Sequence, residues 1–282
     1  MNFSSPEIND FIKRSLQEDI GSGDHTSLAS ITKGKQGKAR LIFKENGIVA
    51  GLDLALQIMK TVDENLQVEF FKKDGDFVNY GDIGFYVDGS VHSILASERL
   101  LLNCMQRLSG IATQTHKIVE RVAGTGVKIL DTRKTTPGLR LLEKWAVKIG
   151  GGYNHRFGLY DMILLKDNHV DYAGGINVAV NNSVNYLKTN NLQLDIEVET
   201  RNLDEVKEAL ALPNVKRIMF DNFSPNTMKQ AVLLVNKQKD TEASGGITLE
   251  NIREYAETGV DYISVGALTH SVKSLDMSLK EF

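Results

Sequence analysis

The runs VKILDT (127–132), DMILLKDN (161–168), LDIEVET (194–200), RIMFDN (217–222), TEASGG (241–246) and DYISVG (261–266) decide the fold. Each is short and β-rich. Helical spacing separates them, at Leu139 to Ile149, Ala173 to Leu187, Leu203 to Leu210, Asn226 to Asn236 and Leu249 to Thr258. Repeated βα predicts a parallel sheet with helical crossovers. An open doubly wound sheet and a closed barrel share that alternation, but the strand ends separate them. The runs finish on Asp131 and Arg133, on Lys166, on Glu199, on Asp221, on Ser244 and on Gly266. In a barrel such ends converge on one mouth, whereas an open sheet uses only its switch point. Six visible runs predict an incomplete α/β barrel of six or seven strands rather than eight.

Outward from this block the pattern changes. Between Lys38 and Leu95 apolar residues alternate in short runs, with Asn46-Gly47, Asp74-Gly75 and Asp88-Gly89 as turn dipeptides and a helical stretch around Leu52, Leu56 and Met59. This predicts a small α+β domain. Asp24 and Thr26 read as loop residues. From Ala96 to Val122 the spacing is helical, interrupted at Ser109-Gly110. The expected organisation is an α+β domain over 1–112, a barrel over 113–270, and a tail, 271–282, packing back on the first domain.

Composition narrows the function classes. The chain has 282 residues, 41% hydrophobic and 24% charged, with net charge −3. That balance argues against a nucleic-acid or acidic-membrane surface. No apolar run approaches the ~20 residues of a membrane span, and Met1 to Asp10 lacks a signal-peptide layout. A cytoplasmic protein is expected. The single cysteine, Cys104, lies in an apolar helical run and reads as core. Charge is unevenly placed. Between Asp131 and His169, seven cations (Arg133, Lys134, Arg140, Lys144, Lys148, Arg156, Lys166) face four carboxylates, a local excess of +3. Lys144 and Lys148, four apart on one helix, read as a solvated face.

The other cations sit where chemistry is expected. Arg133 and Lys134 follow a strand. Gly150-Gly151-Gly152 frees the backbone to approach a ligand and places Asn154, His155 and Arg156 on a loop, and Lys166 ends the next strand. Arginine forks bind carboxylate or phosphate in two parallel hydrogen bonds, and lysine acts as a point charge. The set therefore predicts a polyanionic small molecule. Glu199 and Asp221, at successive strand ends, suit Mg²⁺ or sugar hydroxyls, or pair with Lys166; Glu197, deeper in its strand, reads as structural. Ser244, Gly245 and Gly246 before a helix, with Gly266 and Ala267 after the next strand, match the phosphate loops of a barrel. His25, His92 and His116 are isolated, which assigns no zinc site. The sequence holds no nucleophile elbow, Walker loop or GxGxxG turn.

These residues carry a resemblance. SERLLLNCMQRLSGIAT (97–113), the block DTRKTTPGLRLLEKWAVKIGGGYNHRFGLYDMILLKDNHV (131–170), IEVE (196–199), FDNF (220–223), EASGGI (242–247) and ETGVDYISVGALTHS (257–271) resemble the quinolinate phosphoribosyltransferase family, in order and over nearly the full length from EDIGSGDHTS (18–27). The resemblance implies a type II phosphoribosyltransferase with an N-terminal α/β sandwich domain and a barrel of fewer than eight strands, an obligate homodimer with shared active sites, and Mg²⁺ as cofactor. It implies conversion of quinolinate and phosphoribosyl pyrophosphate to nicotinate mononucleotide, pyrophosphate and CO₂ in NAD biosynthesis. By position it implies that Arg133, His155, Arg156 and Lys166 bind the quinolinate carboxylates, with Arg99 reaching in from the other subunit. Lys134 would contact the pyrophosphate side, Glu199 and Asp221 the ribose or metal, and Ser244, Gly245, Gly246 and Gly266 the 5-phosphate. The catalytic set it implies is Lys134, Lys166, Glu199 and Asp221. Two rivals stand beside it: a pyridine phosphoribosyltransferase without decarboxylation, which needs fewer cations, and a non-catalytic metabolite-binding barrel, which needs no carboxylates at the strand ends.

Overall fold

The computed structural model describes residues 3–282, which divide into two compact units. The first runs to His116 and takes in Thr136–Gly151 and Ser271–Phe282; the second comprises Lys117–Thr135 and Gly152–His270. The boundary therefore differs from the expected one in a specific way. The helix of the basic block joins the first unit, not the barrel.

The first unit contains α1 (Pro6–Ile20), α2 (His25–Ser30), β1 (Gln36–Phe43), β2 (Gly47–Ile48), α3 (Leu52–Val62), β3 (Gln67–Phe70), β4 (Phe77–Val78), β5 (Ile83–Ser90) and most of α4 (Val91–Arg121). Asp24 caps α2, accepting the Ser27 N–H at 3.1 Å, so this stretch is a helix start rather than a loop. The tail forms β12 (Met277–Glu281), antiparallel to β1 with Leu41 opposite Leu279, and completes the sheet order β12-β1-β5-β3. Gly75 takes the positive φ of a turn. Asp88-Gly89 does not turn: it lies inside β5, where a side chain at 89 would strike Leu66.

Ser109-Gly110 does not interrupt α4, which is continuous for 31 residues. The two small residues admit close neighbours instead. Ser109 Oγ accepts the Ala50 N–H at 2.9 Å, and a Cβ at Gly110 would meet the Lys273 carbonyl. Helix α5 (Arg140–Ile149) corrects a second expectation, because Lys144 is fully buried and only Lys148 is exposed. Glu143, also buried, pairs with Arg107 at 2.6 Å. Cys104 is half-buried at the edge of the core, where desolvation pushes its thiol up to about 12, so it is no nucleophile at neutral pH.

The second unit is a single parallel sheet: β6 (Lys128–Leu130), β7 (Ile163–Leu165), β8 (Ile196–Thr200), β9 (Arg217–Asp221), β10 (Asp240–Ser244) and β11 (Tyr262–Ser264). Between them lie α6 (Asp167–Ala173), α7 (Ile176–Thr189), α8 (Leu203–Ala211), α9 (Pro225–Val235) and α10 (Ile252–Ala256), with α11 (Ala267–His270) after β11. The stretch expected to be helical from Ala173 to Leu187 is α7, and Gly174-Gly175 separates it from α6, a further helix that precedes it. The strand order is β6-β11-β10-β9-β8-β7. From β7 onward each strand adds beside its predecessor, without the reversal of a doubly wound sheet, and the first strand pairs with the last. No ladder joins β6 to β7; Tyr153 instead runs parallel to Leu130 at the free edge. This is a six-stranded barrel open at one seam.

Gly150, read from sequence as a ligand approach, has a structural reason. A Cβ there would run into the Ala112 carbonyl of α4. A backbone oxygen cannot rotate aside, so we predict that Gly150→Ala lowers stability by ~1–3 kcal/mol, as overpacking does. A urea unfolding midpoint equal to the parent's would refute this reading.

Candidate active site

Side chains two apart on a strand share a face, so the barrel interior can be read from the register. Glu197 lies opposite Arg217, Glu199 opposite Met219, Met219 opposite Glu242, and Asp221 opposite Ser244. One face of three strands therefore carries Glu197 and Glu199, Arg217, Met219 and Asp221, and Glu242 and Ser244. A cavity of about 330 Å³ opens on this face at the strand ends, at the small end of the usual range for ligand sites. Arg133, Lys134, His155, Arg156 and Lys166 line it, above a floor that includes Met219 and Glu242.

The backbone fixes these cations. Asp131, wholly buried, accepts the His155 N–H at 2.9 Å and ties the β6 end to the loop beyond Gly152. Thr269 Oγ1 donates to the Lys134 carbonyl at 2.8 Å. Asp161 accepts the N–H groups of Phe157 at 2.6 Å and Gly158 at 2.9 Å. Its carboxyl stays below the ordinary value, because those bonds and Arg156 outweigh the opposing effect of burial. Arg156 donates to the Met162 carbonyl at 3.1 Å, and burial first and the Arg133 charge second hold its guanidinium below the usual range. Cations gathered in one cavity suit a polyanionic ligand.

Of the expected site residues, Arg133, Lys134, His155, Arg156, Lys166 and Ser244 line the cavity. Glu199 lies beside it, with Lys166 Nζ 3.3 Å from its Oε2. Asp221 accepts from the Asn222 amide at 2.7 Å. Gly245, Gly246 and Gly266 are not among the lining residues. At Gly245, with φ +90°, a Cβ would strike Asn222, and at Gly266 it would press on Lys134 at 3.1 Å. The glycine loops do not open directly onto long helices, since α10 begins only at Ile252 and α11 has four residues. Arg99 is exposed on α4 of the first unit and does not line the cavity. Sequence reasoning missed Arg217 and Glu242. Their signal was the register: charged residues inside apolar strands, in phase with Glu197.

Fold and site together define an anion-binding α/β-barrel enzyme with its chemistry at the strand ends. Comparison with known proteins narrows that class. The family model for the N-terminal domain of quinolinate phosphoribosyl transferase matches residues 24–109, and that for the C-terminal domain matches 111–280. The chloroplastic nicotinate-nucleotide pyrophosphorylase (carboxylating) of Arabidopsis thaliana is 48% identical over 97% of this chain and 82% of its own. The probable nicotinate-nucleotide pyrophosphorylase (carboxylating) of Bacillus subtilis is 44% identical over 97% and 93%. The solved nicotinate-nucleotide pyrophosphorylase of Francisella tularensis superposes with TM-score 0.92 at 39% identity, over 99% and 98%. The chain belongs to the quinolinate phosphoribosyltransferase family.

The cation set predicts a preference for two carboxylates over one. Benzene-1,2-dicarboxylate at a hundred times its dissociation constant should stabilise the protein by ~2.7 kcal/mol, and benzoate at equal concentration by much less. Thermal melts read the difference. Equal shifts for both ligands would contradict a dianion site.

Proposed function

We propose that this chain transfers phosphoribose from phosphoribosyl pyrophosphate to quinolinate with loss of CO₂, giving nicotinate mononucleotide and pyrophosphate, the reaction of de novo NAD biosynthesis. The observation that carries the reading is the cavity itself, where Arg133, Lys134, Arg156 and Lys166 converge and would be answered by the charge of an anion. The two quinolinate carboxylates supply that charge. The ring nitrogen attacks C1 of the ribose as pyrophosphate leaves. The adjacent positive ring nitrogen stabilises the electron pair left on C2 when the 2-carboxylate departs as CO₂, and C2 then takes up a proton from water, so no general base is needed for that step.

Arg133, His155, Arg156 and Lys166 are assigned to quinolinate and Lys134 to the pyrophosphate side. Ser244, Gly245, Gly246 and Gly266 are assigned to the 5-phosphate. Glu199 and Asp221, on one face of adjacent strands, stabilise positive charge developing on the sugar. They also fit a hard cation: both are oxygen donors, too few for a protein cage, as expected of Mg²⁺ held largely by substrate phosphates and water. Mg²⁺ would neutralise the leaving pyrophosphate. We assign the dimer with Arg99 donated across subunits on the exposure of Arg99 and its absence from its own chain's cavity. The compartment we assign is the cytoplasm. One cysteine excludes an internal disulfide, and among the described residues no helix is long and apolar enough to cross a membrane. The Arabidopsis relative is named chloroplastic, so fractionation of the source cells decides it.

Incubation with quinolinate, phosphoribosyl pyrophosphate and Mg²⁺ should release CO₂ and nicotinate mononucleotide, and chelation should stop it. Arg133→Ala and Arg156→Ala should each lower kcat/KM by ~100-fold, about 2.7 kcal/mol of transition-state binding. Turnover of nicotinate but not quinolinate would favour the non-decarboxylating rival.

The shared site has its own test. Arg99→Ala and Arg133→Ala chains, each inactive alone, should regain activity on mixing, because one hybrid site carries both arginines. Activity that never recovers in verified mixed dimers would reject donation of Arg99.

A further inference from the structure

Beneath the cavity lies a charged group that the assignments above leave unused. Glu197 of β8 and Glu242 of β10 are wholly buried inside the barrel, with Arg217 of β9 between them. Arg217 Nη1 donates to Glu242 Oε2 at 2.8 Å and stands 4.0 Å from Glu197 Oε2. The Arg217 guanidinium lies over the Tyr262 ring, 4.1 Å from its centre. The upper member is His155, whose Nε2 is 3.2 Å from Glu197 Oε2 and 3.5 Å from Glu242 Oε2. Its other nitrogen, Nδ1, accepts the Arg156 N–H at 2.7 Å. A continuous path thus runs from the barrel interior to the main chain of a cavity arginine.

Charge balance follows from these distances. Burial and the neighbouring carboxylate of Glu242 push Glu197 up to about 7. Burial also opposes ionisation of Glu242, but His155 and Arg217 outweigh it and hold that carboxyl below its ordinary value. Two influences compete at His155. The carboxylates, against the cost of burial, raise the ring to about 9 and secure a proton on Nε2. The Arg156 N–H requires a lone pair on Nδ1, and a second ring proton there would set two N–H groups against each other. The direct 2.7 Å contact decides for one proton, on Nε2. Arg217 and Glu242 form the close ion pair of the group, at 2.8 Å.

His155, Glu197 and Glu242 also offer three donor atoms within 4.8 Å of one another, a spacing a divalent cation could use. Arg217 already brings a positive charge to Glu242 Oε2, so the cluster contains its own cation.

We propose that Glu197, Arg217 and Glu242 are positioning residues for quinolinate: they grip the His155 ring through Nε2, and its Nδ1 holds the Arg156 main chain against the cavity. This rests on the assignment of Arg156 to a quinolinate carboxylate. The geometry also refines His155, whose two ring nitrogens are turned to Glu197, Glu242 and Arg156. Its contribution to quinolinate binding is therefore made through Arg156.

Two measurements test the proposal. In the intact wild-type protein, ¹⁵N shifts of the His155 ring should show a protonated Nε2 and an unprotonated Nδ1 at pH 7. A doubly protonated ring, or the opposite tautomer, overturns it even if every variant fails to fold. In steady-state assays, Glu242→Gln and Glu197→Gln should raise KM for quinolinate by about tenfold, the scale of a sub-ångström misplacement, and leave KM for phosphoribosyl pyrophosphate within about twofold. Parallel increases in both KM values indicate general loosening and reject it, as do unchanged values. A stoichiometric metal present in wild type and lost in Glu242→Gln overturns it in favour of a metal centre. Wild type that does not turn over quinolinate would sink the functional reading alone, since the ring measurement is independent of activity.

Discussion

The parallel ring of strands turns every second side chain of each strand inward, and the chemistry of this protein depends on that constraint. Water is excluded there, so each inward charge must be answered by another. Glu197, Arg217 and Glu242 meet the requirement at the floor by sitting on three successive strands in matching register. One residue of slip in any strand would turn its charge away from this interior and leave the others without a counter-charge. The network is thus a check on register as well as a feature of the site.

Fold and site were unequally legible in the sequence. The βα alternation and the polar residues at the strand ends identify the barrel, because period-two patterning and turn chemistry are local. Arg133, Lys134, Arg156 and Lys166 were legible for the same reason: each lies at or just beyond a strand end or in a glycine-rich loop. Arg217 and Glu242 were not. Their partners are 20 residues away or more in sequence, and only strand pairing brings them together. Glu197 reads correctly as structural but incompletely, since its position alone does not name His155.

Small and charged residues in helices misled in a second way. Ser109 and Gly110 have the composition of a break, yet α4 runs through them, because packing against Ala50 and Lys273 needs the missing side-chain volume. Gly150 likewise serves a helix contact. Lys144 follows the spacing of a solvated face and is buried nonetheless. Helical periodicity describes which residues share a face. It does not say which of two faces is covered when a helix is enclosed on several sides, as α5 is within its unit.

The barrel separates two electrostatic tasks by height. At the floor, Arg217 meets Glu242 at 2.8 Å and stands 4.0 Å from Glu197, so a cation lies inside that layer. At the rim, burial and then Arg133 weaken the charged state of Arg156, and a bound anion would relieve it. The cation inside the floor matters for that rim. Had Glu197 and Glu242 both been ionised without Arg217, their field would have offset the arginines above and reduced their attraction for carboxylates. Neutralising the interior internally lets the cavity keep its positive potential for substrate while His155 still links the two layers mechanically.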